Sequence, residues 1–492
     1  MSQRSVRSSA LLVVALTATS FIGGCSAEGQ SAGKTGKVPI TTSSATASAA
    51  YLKGRTLGEN LRNHDSRVLL TEAVRNDSSF ALAHYLLALN APTAKEFNEQ
   101  LAQAVTLASK ASEGERLMIL GLQAGANGDP QAQLGYYEKL VAAYPGDERA
   151  HFLTGGAYFG DQDYERAIRE YNKAIEIAPD FAPAYNLVGY ALRATGNYTE
   201  AEKSFKKYID LIPQDPNPYD SYAELLLKMG RFDESVTLYR KALQVDSNFA
   251  PSRAGIATNL MYQGKHEAAR AETRKAYEAA RNDGERRGAL FTGAVTYADE
   301  GKFDEAVGEL IKEYAVAERI SDTAAMAADE IAMGDVLLEA GKPGEARGRY
   351  QHALELQERS SLSAEAKGNA RLVHQFKLGR VSASKGDLAD ARRRADAFMK
   401  GASAKKSDVQ IRQAYELTGR IALNEKKYDD AVAALTQANQ QDPYVLYLLS
   451  QAYGGKGEAA RAHELFEQAV SQNTLPALNY AFVRAKAKQM KA

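Results

Sequence analysis

The chain has 492 residues, 45% hydrophobic and 25% charged, and its 61 Lys and Arg balance 61 Asp and Glu. Zero net charge leaves no electrostatic footprint for nucleic acid or an anionic surface, and a single cysteine, Cys25, leaves no further thiol for thiolate chemistry. The densest basic cluster, Arg392-Arg393-Arg394, is flanked by Asp387, Asp390 and Asp396 and reads as a solvated helix face.

The N-terminus places Arg4 and Arg7 before an apolar run from Ala10 to Gly24 that ends Phe-Ile-Gly-Gly-Cys. This order of charge, short apolar stretch and small residues is that of an export signal. The run is too short to cross a bilayer as a helix, which takes about 20 apolar residues. Ile22-Gly23-Gly24-Cys25 resembles the bacterial lipobox, and the resemblance implies a lipid on the Cys25 thiol and cleavage before it. Residues 1–24 are therefore expected to be a lipoprotein signal peptide. Their removal takes away Arg4 and Arg7 and no acid. Ser26 follows the cysteine, where some bacteria use Asp to retain lipoproteins at the inner membrane. That favours the outer membrane, facing the periplasm. Residues 25–46, rich in Ser, Ala, Gly and Thr, are expected to be a flexible tether, with an r.m.s. reach of roughly 25 Å.

Beyond the tether a 34-residue echo begins. In one copy Gly155, Tyr158, Ala167, Tyr171, Ala174 and Pro179 alternate small and large. The next has Gly189, Leu192, Ala201, Phe205, Tyr208 and Pro213, and the third Ala223, Leu226, Ser235, Tyr239, Ala242 and Ser247. A fixed period in this range signals stacked supersecondary units. The pattern resembles the tetratricopeptide repeat, a helix–turn–helix of 34 residues. The early tryptophan of that repeat is absent; Tyr185, Tyr219 and Tyr415 hold its position, with His84 and His151 elsewhere. The resemblance implies an all-α fold, a tetratricopeptide-type α-solenoid wound as a right-handed superhelix. Gly155 and Gly189 are expected where two helices touch. Eight glycines (Gly128, Gly196, Gly230, Gly264, Gly301, Gly341, Gly386 and Gly457) recur between the two helices of a unit, where positive φ is needed.

Extending the register gives about twelve units, starting near Ala47, Ala81, Gly114, Glu148, Ala182, Pro216, Ala250, Arg287, Ala327, Leu372, Arg412 and Pro443. Spacing between turn glycines grows from 34 to 37, 40 and 45. This predicts a regular array over 47–283, a looser one with longer helices or loops over 284–474, and an amphipathic capping helix over 475–492. Such a cap covers the last apolar face of a solenoid.

A search for chemistry finds little. Gly33-Lys34-Thr35 lacks the earlier glycine of a phosphate-binding loop, where Glu28 stands, and sits in the tether. The seven histidines show no metal-ligand spacing, and there is no G-x-S-x-G elbow. Asp429-Asp430 falls where acids favour a helix N-terminus. No catalytic residue, metal, cofactor, nucleic acid or small-molecule substrate is expected.

What remains is a surface. In the tetratricopeptide architecture the first helix of each unit lines a concave groove, at places two, five, nine and twelve. These are Pro183, Asn186, Tyr190 and Arg193 in the fifth unit and Asn217, Asp220, Glu224 and Leu227 in the sixth. Asn186, Tyr190, Arg193, Asn217, Asp220 and Glu224 are the candidate partner-binding residues, with Tyr190 as anchor. Asp220 and Glu224 would repel the C-terminal carboxylate that some members of the family clamp, and suit a partner segment with positive charge. The resulting expectation is a membrane-anchored scaffold that binds other proteins in the cell envelope. A regulatory module is the alternative, suggested by the look of the run from Asp215 to Leu225; an envelope enzyme is the third reading.

Overall fold

The computed structural model describes residues 36–360 and 362–491. Among them every regular element is helical. α1 (Ala45–Glu59) pairs with α2 (Asn63–Asn76), α3 (Ala81–Leu89) with α4 (Ala94–Leu107), α5 (Glu113–Ala126) with α6 (Pro130–Ala143), and α7 (Glu148–Gly160) with α8 (Tyr164–Ile177). α9 (Ala182–Ala194) pairs with α10 (Tyr198–Leu211), α11 (Asn217–Lys228) with α12 (Phe232–Val245), and α13 (Ala250–Tyr262) with α14 (His266–Glu278). Longer pairs follow: α15 (Asp283–Asp299) with α16 (Phe303–Arg319), α17 (Thr323–Glu339) with α18 (Pro343–Arg359), and α19 (Ala364–Ser384) with α20 (Leu388–Ala404). α21 (Asp408–Asn424) with α22 (Tyr428–Gln437), α23 (Pro443–Gly455) with α24 (Ala459–Ser471), and a final α25 (Leu478–Lys491) complete the chain.

The repeat works through one contact used again and again. A glycine in the first helix faces a large side chain sixteen residues later in the second. A Cβ on Gly155 would lie 2.6 Å from Tyr171 Cε1, and one on Gly189 would lie 2.7 Å from Phe205 Cε1. Gly121 with Tyr137, Gly334 with Tyr350 and Gly419 with Leu435 repeat the arrangement. Gly155 and Gly189 thus stand at helix contacts, as the sequence predicts. All eight turn glycines have positive φ, +79° at Gly196. Leu61, Gln162 and Lys426 hold the same conformation in pairs that lack the glycine. Helix starts are set locally as well. Ser112 and Glu115 form a capping box on α5, and Asp129 caps α6 ahead of Pro130.

The chain divides into two compact units, one of residues 36–221 with 362–367, the other of Tyr222–Ser360 with Gly368 onward. In the first, a core of Tyr51, Leu70, Phe80, Tyr85, Leu101, Ile119 and Leu140 runs between the early pairs. Here the structure differs from the expected tether. Residues 36–44 are not free: they lie extended against this unit, with Val38 and Ile40 packed on its core. The physical reason is that this stretch carries apolar residues in alternation, which a reading by composition overlooks.

In the second unit, the extra residues of the later repeats lengthen the helices, to 17 residues in both α15 and α17. Residues 478–491 form a terminal helix whose principal neighbours are α15 and α23 rather than α24. Phe482 meets Phe303, with ring centroids 6.1 Å apart, and Val483 is buried. Fully buried Asp299, at the end of α15, accepts from Arg484 Nε (2.6 Å), Lys488 Nζ (2.6 Å) and, on a ring nitrogen, pairs with His266 (2.8 Å). Arg287 of α15 ties α16 and α17 together through Glu313 and Asp329, both fully buried.

Candidate functional site

The sequence places six partner-binding residues on a wet strip. The structure brings them to the expected helices but covers all except Arg193. Tyr190 is only 3% exposed. Its ring meets Phe205 edge-on at 5.3 Å, and its hydroxyl donates to Ser221 Oγ at 3.2 Å. Asn217 Nδ2 donates to Tyr208 Oη at 2.9 Å, and burial pushes the Tyr208 hydroxyl above the ordinary phenol range. Asn186, Asp220 and Glu224 are buried too. The Tyr190 hydroxyl reaches from α9 to Ser221 of α11, so the ring lies between these two helices. Tyr190 therefore serves as a packing ring rather than an exposed anchor. Arg193, half-buried, spreads its guanidinium 4.6 Å over the Tyr190 ring. Cys25 lies outside the described residues.

A different site emerges at the entries to α3, α5 and α7, where residues 37–42 run across three successive pairs. Val38, Ile40 and Thr42 turn inward, half-buried, while Lys37, Pro39 and Thr41 turn outward. Three carboxylates receive the segment, and each divides its two oxygens in the same way. Asp147 caps α7 by accepting from Arg149 N and Ala150 N on Oδ1, and takes Val38 N on Oδ2 at 2.8 Å. Glu115, fully buried, accepts from Ser112 N on Oε2 and from Thr41 N on Oε1, each at 2.7 Å. Asp77 accepts from Ser79 N on Oδ1 and from the Thr42 hydroxyl on Oδ2 at 2.6 Å. The Thr42 bond, then that of Ser79, holds the Asp77 carboxyl below the ordinary carboxylate range. At the far end Lys37 pairs with Glu148. Burial alone would raise the Glu148 carboxyl, but Lys37, its own backbone N–H and Arg149 outweigh that and keep it low.

The floor of this site is Gly114. A Cβ there would stand 2.7 Å from Val38 Cγ1 and 2.8 Å from Tyr144 Cε2. The glycine leaves a socket that the valine fills. The alternation in Lys37-Val38-Pro39-Ile40 was the available sequence signal.

The second unit carries charges along its first helices. Asp335 of α17 meets Lys377 at 2.7 Å and Arg380 at 3.0 Å, both on α19, and takes the Tyr350 hydroxyl at 2.7 Å. Burial would raise the Asp335 carboxyl; Lys377 and Arg380 overcome this and hold it at about 2. Arg420 pairs with Glu416 on α21 and covers the Tyr444 ring at 4.4 Å, while the Tyr444 hydroxyl donates to Glu339 at 2.8 Å. Lys486 of α25 also pairs with Glu339. These charges answer one another within the chain. A depression of about 410 Å³ between α18 and α19, lined by Arg347, Glu355, Arg359 and His374, likewise mixes both signs. Burial, with Arg394 and Arg347, pushes His374 below its ordinary value. Among the described residues no group of three or more His, Cys, Asp or Glu is placed to hold a metal ion, and no helix is long and apolar enough to cross a membrane.

Helix pairs of 34 residues, glycine-to-ring contacts sixteen apart and left-handed turn residues together define the unit. Three tetratricopeptide repeat families match the chain. The matches cover residues 120–183, 170–203 and 217–249. These tetratricopeptide stretches include α6 to α9, α11 and α12, the regular part of the register. No curated protein matches the chain. Among solved structures, MamA (residue 41 to the end) from Desulfovibrio magneticus RS-1 is 16% identical with a TM-score of 0.29, covering 34% of this chain and 96% of that one. A thermophilic tetratricopeptide protein of Thermus thermophilus is 21% identical with a TM-score of 0.29, covering 44% and 98%. YrrB, described as having an unusual peptide-binding site, is 20% identical with a TM-score of 0.25, covering 39% and 96%.

Proposed function

We propose that this chain is an exported, lipid-anchored scaffold of the bacterial cell envelope whose tetratricopeptide units hold segments of other proteins. One observation carries the reading: the array already holds an extended segment of protein, residues 37–42, through backbone N–H groups, an ion pair and an apolar socket. The membrane anchor rests on Ile22-Gly23-Gly24-Cys25 and on the absence of any other cysteine in the sequence. Ser26 after the cysteine, rather than Asp, favours the outer membrane, facing the periplasm, in an organism with two membranes. Anchor and scaffold are tested together in intact cells. Wild-type protein should fractionate with membranes and crosslink to envelope proteins, and Cys25→Ser should move it to the soluble fraction. A wild type already soluble ends the anchor reading; a wild type that crosslinks to nothing ends the scaffold reading.

A further inference from the structure

Building on the scaffold reading, we propose that the edge formed by Asp77, Gly114, Glu115, Asp147 and Glu148 is a recognition site for an extended segment bearing a cation followed by alternating apolar residues. The chain's own residues 37–42 fill it until a partner segment of the same chemistry competes.

The contacts sort into two kinds. Val38 N to Asp147 and Thr41 N to Glu115 are backbone contacts, so they recognise extension and accept any residue that keeps its N–H. Selectivity lies in the side chains. Lys37 answers Glu148, and Val38 fills the hole left by Gly114 beside Tyr144. Ile40 packs on the core beneath, and Thr42 gives its hydroxyl to Asp77. Extended peptides are commonly bound in this way, with main-chain hydrogen bonds for affinity and pockets for alternate side chains for specificity. Four carboxylates line the edge, so the occupant must be cationic or neutral, never acidic.

The site demands an occupant. Glu115 is fully buried and only one of its oxygens is served by its own capping box. Emptying the edge would strip Thr41 N from the other oxygen and leave a buried carboxylate under-satisfied. The occupant is nonetheless superficial. Lys37, Pro39 and Thr41 are exposed, Val38, Ile40 and Thr42 only half-buried, while Leu117, Ile119 and Leu122 of α5 are buried by helices. Replacing the segment therefore exchanges one set of edge contacts for another and leaves the helical core shut. Attachment to α1 through Ser44 holds the resident segment at a high effective concentration, which a free competitor must exceed.

The test uses the full chain and a fluorescent synthetic peptide of residues 36–44, with binding read by anisotropy. In one variant Val38→Asp and Ile40→Asp together put carboxylates into the acidic edge and should expel the resident segment. Amide hydrogen exchange at Thr41 reports the expulsion and circular dichroism the retained fold. Expected is saturable one-to-one binding to this variant, at least tenfold weaker binding to wild type, and loss of binding when Gly114→Val fills the socket. Lys37→Glu alters only an exposed side chain and should give the same order with a smaller change. The proposal is overturned if the peptide binds neither form, if it binds both equally, or if Thr41 stays protected in the double variant. Crosslinked envelope partners that survive Gly114→Val would leave the scaffold reading standing and remove only this edge.

Discussion

Asp299→Asn offers the sharpest test of how the second unit holds its last helix. The carboxylate is fully buried at the end of α15 and accepts from Arg484 and Lys488 of α25 and pairs with His266. Burial alone would raise it; His266, then Arg484 and Lys488, bring it down to about 2 from an ordinary 3.8. That displacement corresponds to about 2–3 kcal/mol of stabilisation of the charged form. Asparagine keeps the shape and removes the charge that faces Arg484 and Lys488, a loss of about 3–5 kcal/mol for a buried pair. Lys488 is 44% exposed and regains water, so the lower end applies, about 3 kcal/mol. Opening of α25 should become roughly a hundredfold more frequent. Amide exchange at buried Val483 reads this directly at neutral pH. The pH dependence supplies an independent check. A carboxyl with a depressed folded value stabilises above its unfolded value and loses that contribution as pH falls through the folded one. The difference between wild type and Asn variant in urea should then shrink between about pH 4 and pH 2. Exchange at Val483 unchanged within threefold, or a difference that does not narrow with acid, would refute the reasoning.

Other substitutions probe the array. Gly189→Leu and Gly155→Leu should each lower stability by about 1–3 kcal/mol or more through overpacking, because the added Cβ meets Phe205 or Tyr171; an unchanged melting temperature would mean that these helices do not touch there. Tyr190→Ala should destabilise by about 3–5 kcal/mol, as for a large buried ring, whereas Arg193→Ala should stay within about 1 kcal/mol; equal, small effects in urea titration would place the Tyr190 ring in solvent instead. Arg287→Ala removes the guanidinium that Glu313 and Asp329, neither exposed, share and should cost about 3–5 kcal/mol, read as early unfolding of α15 to α17 by limited proteolysis.

Much of this architecture is written in small residues. The glycines between helices stand out because left-handed backbone tolerates few alternatives, and all eight have positive φ. Pairs without them carry no such mark, since Leu61, Gln162 and Lys426 adopt the same conformation with no signature in residue type. The starts near Arg287, Ala327, Leu372 and Arg412 fall inside helices that begin earlier, because added residues extend a first helix at its front without disturbing the glycine contact. The burial of Asn186, Tyr190, Asn217, Asp220 and Glu224 is hidden for a different reason. Periodicity tells which face of α9 Tyr190 occupies but not how closely α11 approaches that face. A ladder of charge was legible in the same register: Asp335, Arg380 and Arg420 all hold place nine of their units, and in the structure they join ion pairs. Composition hid residues 37–42 among serines and threonines, although Val38 and Ile40 alternate with outward residues as a half-buried extended segment does.

The route of the chain across the first unit has a mechanical consequence. Its path joins the array at α7 and runs back past α5 and the entry to α3 before α1 begins. A pull applied ahead of Gly36 reaches Glu148 and Asp147 before it reaches any helix. The contacts then part in order, Lys37 first and Thr42 last, so the segment peels rather than shears. Peeling it frees residues 37–44, a length of at most about 28 Å when extended, before tension falls on α1. A protein held at its N-terminus while its helices grip a partner would thus carry its own slack, wound on the outside and let out ahead of any unfolding.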